Sequence, residues 1–236
     1  MKHLLALAHN DFRVLYRTGY LWATLAVFAL LLLIATQVSR LDLAGYADFV
    51  AAIILFDVVL TPVMIIGLMV LLERGEGSFI ALTVTPLRRQ SYVLARTATI
   101  SLVSIAEMLL LVLIAYDGAL APASLVAGLL GVGAIASLFA FLAVAPFNTL
   151  YSFVLPMIGW IFFLGMPGYG VLLGWDPLWL AWHPTVPAMT LLKGAFTPLP
   201  LAEALYGAAG AIFWLGLGAI TANRAVRHMQ LRAVGG

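Results

Sequence analysis

Cysteine is absent, and charged side chains make up only 9% of the 236 residues, with just two lysines among them. The first absence excludes disulfides, thiolate nucleophiles and cysteine-ligated zinc or iron–sulfur centres, and leaves the redox compartment open. The second leaves too little polar surface for a water-soluble globule, since soluble domains carry about 25% charged residues. No G-x-x-x-x-G-K-[ST] run occurs, so the chain has no loop of its own to cradle ATP. H-E-x-x-H and G-x-S-x-G are missing as well. His3, His9, His183 and His228 are scattered, so neither a metal site nor a catalytic site is expected. The net charge of +2 has no clustered basic face behind it, which argues against nucleic-acid binding.

What is present is oil. Hydrophobic residues make up 64% of the chain and the mean hydropathy is +1.10. A spanning helix needs about 20 mostly apolar residues. Six segments qualify: 20–38, 49–72, 92–115, 124–145, 150–173 and 204–222. They are long, continuous and without period-2 alternation, so strands are excluded. Backbone groups in lipid must be satisfied internally, which makes the expected fold an all-α integral membrane protein, one transmembrane domain over residues 1–236.

Basic residues orient it. With the N-terminus inside, that side holds Lys2, Arg13, Arg17, Arg74, Arg88, Arg89, Arg96, Arg224, Arg227 and Arg232, against Arg40 and Lys193 outside. Ten against two is a positive-inside distribution. It predicts the cytoplasmic membrane with both termini cytoplasmic. Asp42, Asp48, Asp117, Asp176 and Glu203 fall on the outer side.

Residues 1–18 read as an amphipathic helix in the inner interface rather than a cleavable signal. Lys2, His9, Arg13 and Arg17 form its polar stripe, with Leu5, Ala8, Phe12 and Leu15 opposite. Between spans five and six, 174–203 carries Trp175, Trp179 and Trp182 at helical spacing, then Pro184, Pro187, Pro198 and Pro200. Such a segment predicts short re-entrant or interfacial outer helices, the tryptophans marking the membrane–water boundary. Small residues at i, i+4 (Ala127/Gly131, Gly133/Ser137, Gly207/Ala211) predict close helix packing.

Two carboxylates fall inside the bilayer, Asp57 in span two and Glu107 in span three. At about 1.5 Å per residue both stand roughly 22–24 Å above the inner boundary. A charge at the membrane centre costs about 2.5–3.5 kcal/mol even on permissive scales. Either the pair lines a substrate pathway, binding a cationic group or titrating during transport, or both are buried, neutral and hydrogen-bonded between helices.

The connection 73–91 interrupts the oil. Glu73, Arg74 and Glu76 open it, Gly75 and Gly77 break the preceding span, an apolar stretch with Phe79, Ile80 and Leu82 follows, and Thr85-Pro86 and Arg88-Arg89 close it. Its apolar positions predict a short structured element, a handle by which a soluble partner can move helices. The run Glu73-Arg74-x-x-Gly77-Ser78-Phe79-x-x-Leu82-x-Val84-Thr85-Pro86 resembles the E-R-x-x-G-T-L-E-x-L-x-V-T-P pattern of ABC-2 type transporter permeases, in the same loop. The amphipathic N-terminal helix, six spans, outer helices and basic C-terminus also resemble that family, and the small outer region is similar to its drug-export members, including the fluoroquinolone kind. Ile80 departs from the Glu often found there.

The resemblance implies a permease subunit of an ATP-driven exporter moving a drug-like or lipid-like amphiphile. Two permease chains, identical or not, would pair with P-loop ATPase subunits that hold ATP and Mg; this chain itself would need no cofactor. Arg13 and Arg17 on the N-terminal helix, and Glu73, Arg74, Gly77, Phe79, Leu82, Thr85 and Pro86 in the loop, would be the coupling positions. A permease for a lipid-linked glycan or peptide, an intramembrane enzyme using Asp57 and Glu107, and a non-transporting anchor remain alternatives.

Overall fold

The computed structural model describes residues 2–41, 44–77, 88–175 and 177–235, with side chains from 7 to 232 within those stretches. Every regular element among them is helical: α1 (Lys2–Arg17), α2 (Tyr20–Ser39), α3 (Tyr46–Gly75), α4 (Arg89–Ala115), α5 (Pro122–Val144), α6 (Leu150–Leu172), a 3-10 turn (Leu180–Trp182), α7 (Val186–Lys193) and α8 (Leu201–Gly235). Six of these, α2 to α6 and α8, are long and apolar enough to cross a membrane. The chain is an all-α, multi-pass membrane protein with an amphipathic N-terminal helix and short helices between spans five and six.

Glycine sets the corners. After α1, Gly19 adopts φ 81° and caps the start of α2. α3 runs through Gly75, and the chain turns at Gly77 with φ 70°, a conformation that costs an L side chain but not glycine. α8 continues well past the apolar run that ends at 222, to Gly235. Its 35 residues measure about 52 Å, longer than a bilayer core.

The spans divide into a core and a coat. Of their most apolar windows, 72%, 61% and 72% is buried in α3, α4 and α5, but only 17% in α2, α6 and α8. The coat helices therefore turn most of their apolar surface outward, as lipid contact requires. At the end of the bundle away from α1, the Tyr46 hydroxyl donates to the carbonyls of Ala115 (2.6 Å) and Ala35 (3.1 Å), joining α2, α3 and α4.

α7 is the unusual piece. Eight residues cannot span, yet Val186, Pro187, Ala188, Met189, Thr190 and Leu192 are all buried. It fits because its neighbours are bare there. A Cβ on Gly128 of α5 would stand 2.5 Å from the Leu192 backbone, and one on Gly131 would stand 2.8 Å from the Ala188 Cβ. Gly207 and Gly210 of α8 meet Leu191 and Pro187 in the same way. The small residues of spans four and six thus make room inside this chain, while Ala127 faces outward.

Hydroxyls fix the approach to α7: Thr185 Oγ1 donates to the Leu164 carbonyl at 2.7 Å, and Tyr206 to the Ala181 carbonyl at 2.6 Å. The His183 ring packs on Phe163 with centroids 4.9 Å apart, and burial pulls its imidazole down to about 4, so it is neutral at ordinary pH.

The tryptophans depart from the expected single helical face. Gly174, at φ 76°, ends α6 before Trp175, and Pro177 keeps helix from re-forming until the 3-10 turn. Trp175, Trp179 and Trp182 are nevertheless all exposed, by 62%, 67% and 72%. That exposure suits a boundary position without a helix to align it.

Gly128→Ala tests the seat of α7. The added methyl meets backbone rather than a flexible side-chain end, so overpacking of about 1–3 kcal/mol is expected. It should appear as a lower thermal midpoint in detergent. Gly159→Ala, on an open face of α6, should leave the midpoint unchanged or slightly raised.

Candidate functional site

The middle of α4 carries a run of buried polar side chains: Arg96, Thr97, Thr99, Ser101, Ser104 and Glu107. At 100° per residue, Arg96, Thr97, Ser104 and Glu107 share a sector of about 100°. Two clusters of charge form along it.

The first lies at the α1 end. The Arg96 guanidinium donates through Nη2 to Asp11 Oδ1 at 2.7 Å and to Glu73 Oε1 at 2.6 Å, and through Nη1 to the Tyr92 hydroxyl at 3.0 Å. Tyr92 in turn donates to Glu73 Oε2 at 2.6 Å, and its ring lies 4.9 Å from the guanidinium carbon. One cation thereby ties together α1, the end of α3 and α4. Arg96 and Asp11 are almost wholly buried, with side chains 3% and 5% exposed. In such surroundings the Coulomb attraction is weakly screened, and each group is expensive to leave alone.

Arg74, next to Glu73, turns the other way. It donates to the carbonyls of Phe147 and Ala145 (3.3 Å) and to Asn148 Oδ1 (3.3 Å). These are the first groups beyond α5, where a helix leaves carbonyls without intrahelical partners. The Glu73-Arg74 pair therefore pins the end of α3 to α4 on one side and to the α5–α6 turn on the other.

The second cluster lies on the α3–α4 seam. Asp57 is fully buried; Thr61, one turn along the same helix, donates to Oδ1 at 3.0 Å, and Ser104 of α4 donates to Oδ2 at 3.4 Å. Glu107, three residues beyond Ser104, lies within electrostatic reach of Asp57. Close by, Ser101 and Ser137 share a hydrogen bond of 2.9 Å between α4 and α5. A seam of two carboxyls and several hydroxyls is suited to holding a proton or a positively charged group.

Glu107 is thus within electrostatic reach of Asp57, and Glu73 and Arg74 make contacts within the chain. Arg13 and Arg17 are exposed on α1, as is Gly77 after α3. Phe79, Leu82, Thr85 and Pro86 lie outside the described residues. Arg96, Asp11 and Tyr92 were not expected to act together; Arg96 counts only as a charge in the sequence reading. The signal was there, because Asp11 falls on the apolar side of α1 and Arg96 lies inside the apolar run of span three. On α1, Asp11 and Leu15 face the bundle, and Phe12, expected on the same side as Leu15, is 44% exposed.

Arg96→Ala strands two carboxylates, and losing one partner of a buried pair costs about 3–5 kcal/mol. A large drop in thermal stability is expected. Asp11→Asn leaves Arg96 its Glu73 contact, so the bundle should hold. Amide exchange should then quicken in residues 7–17 and stay unchanged in α3 and α5.

None of the curated proteins matches the chain. A family profile, described as "Fluoroquinolones export permease protein Rv2686c-like", matches residues 12–221. That stretch takes in Arg96, Glu73, Asp57 and Glu107, the first five spans, α7 and the apolar part of α8, and begins one residue after Asp11. The chain therefore belongs to the Rv2686c-like family of fluoroquinolone export permease proteins.

Proposed function

We propose that this chain is the membrane-spanning subunit of an ATP-driven, ABC-2 type exporter in the cytoplasmic membrane, with both termini cytoplasmic. It pairs with a second permease chain and with separate P-loop ATPase subunits that hold ATP and Mg. Its substrate is a drug-like or lipid-like amphiphile taken from the cytoplasm or inner leaflet. Family membership supports export. The Glu73–Pro86 motif, the ten-against-two distribution of basic residues and the lack of a P-loop support the division of labour.

The observation that carries the reading is the Arg96 joint. α1 and the start of the 73–91 connection, the two elements that would rest on an ATPase, are fastened to a single guanidinium on α4. A push on either element is then delivered to α4. Eleven residues further along, about 16 Å, α4 carries Glu107. Closure of the ATPase subunits would move α4 against α3 and alter the seam between Asp57 and Glu107. Arg13 and Arg17, exposed on α1, and Phe79, Leu82, Thr85 and Pro86 in the loop are the docking positions in this scheme.

Gentle extraction from the native membrane followed by mass spectrometry tests it. A P-loop ATPase should accompany the chain and be lost from the Phe79→Ala, Leu82→Ala double variant. Arg96→Lys keeps the charge but not the fork geometry. It should retain the ATPase and lower fluoroquinolone efflux by an order of magnitude. A chain that emerges without any P-loop ATPase from several mild detergents rejects the proposal.

A further inference from the structure

Asp57 is satisfied by its two hydroxyl donors, but Glu107 is not. It is 7% exposed, and both its carboxyl oxygens are enclosed without a hydrogen-bond partner. The Thr24 hydroxyl of α2 faces it, yet donates instead to the Leu21 carbonyl at 3.0 Å. Of the described charged or titratable groups on α1, α2, α3, α5 and α8, the helices against α4, Asp57 is the one whose field reaches Glu107. Arg96 is about 16 Å away along the helix and engaged with Asp11 and Glu73.

A bare carboxylate enclosed without a donor, beside a second acid, is far costlier than a neutral carboxyl. The cheapest neutralising partner is a proton. An organic cation is the next, because an ammonium in the seam would meet two acids and the acceptor oxygens of Thr61 and Ser104. Asp57, ionised and held by its two hydroxyl donors, attracts the cation, and the cation in turn favours the charged form of Glu107, so its arrival expels the Glu107 proton.

We propose that Glu107 is a proton–cation exchange site, protonated when the seam is empty and deprotonated when a positively charged substrate group binds between it and Asp57. The proposal rests on the exporter reading and names its substrate class: amphiphiles bearing a protonated amine or another organic cation. In the exchange the O–H bond of the Glu107 carboxyl breaks and the proton passes to bulk water. The carboxylate left behind pairs with the incoming cation, so the net charge of the seam is unchanged. Release outward reverses the step, with Glu107 regaining a proton from the water that replaces the substrate.

Tetraphenylphosphonium is the probe, because it is a lipophilic cation with no proton of its own to lose. With the full-length chain and its co-purified partners in vesicles at neutral pH, infrared spectroscopy should show a protonated carboxyl band. The band should vanish in Glu107→Gln, which keeps the shape of the protonated acid and should assemble normally. Saturating tetraphenylphosphonium should remove it from the wild type, with one proton released to a weakly buffered medium per cation bound. Absence of the band, its survival in Glu107→Gln, or its persistence under saturating cation each overturns the exchange.

Efflux of Nile red, an uncharged amphiphile, separates the two readings. ATP-dependent Nile red efflux without cation-driven proton release leaves the exporter standing and removes the exchange. A band that is present and released by the cation, with no ATP-dependent efflux of any probe, leaves the exchange and removes the exporter.

Discussion

The structure depends on one guanidinium held between two carboxylates where water is scarce. Arg96 would be costly inside the bundle by itself, and so would Asp11 on the inward side of α1. Together with Glu73 and Tyr92 they offset and orient one another, and the geometry of their contacts fixes three helices at once. Hydrophobic contact alone gives α1 little reason to choose its position, since helices in lipid gain little from apolar burial. The ionic contact supplies direction, and the neighbouring Arg74 extends it to the α5–α6 turn.

The rest of the fold makes α4 a useful lever. Its far end is tied to α2 and α3 through Tyr46, and its middle carries the hydroxyls that meet Asp57 and Ser137. α7, seated against glycines of α5 and α8, leads into Phe196, which packs on Tyr116 at that same far end, and is too short to cross a membrane. Charge is thus concentrated at two levels of a single helix. At one level a guanidinium meets two carboxylates inside the chain, and at the other a carboxyl has neither of its oxygens hydrogen-bonded. In a membrane protein such an asymmetry separates a joint from a binding position.

Much of this was legible in the sequence, and the exceptions have physical causes. Run length alone located the six spans, because lipid imposes it. Thr61, four residues after Asp57, follows from helical spacing. The small outer region pointed to the fluoroquinolone-export family that the profile matches, whereas the Glu73–Pro86 pattern pointed to the ABC-2 type, which belongs to the proposal. The Arg96 joint was not legible as a joint, since Asp11 and Arg96 are 85 residues apart and nothing local links them. The tryptophans misled because i, i+4, i+7 spacing was read without weighing Gly174 and Pro177, which stop a helix between them. The burial of α7 depends on bare glycine surfaces on two other helices, and such complementarity exists only once the bundle has formed.

Transmission from α1 to α4 requires energetic coupling through Arg96. The most direct measurement is a double-mutant cycle with Asp11→Asn and Arg96→Gln, read out as ATP-dependent fluoroquinolone efflux and as thermal stability in the same preparations. Direct contact predicts an interaction energy of about 1–3 kcal/mol in stability and clear non-additivity in efflux, the double variant being little worse than the worse single one. Effects that add within about 0.5 kcal/mol, with efflux losses that simply multiply, would contradict it.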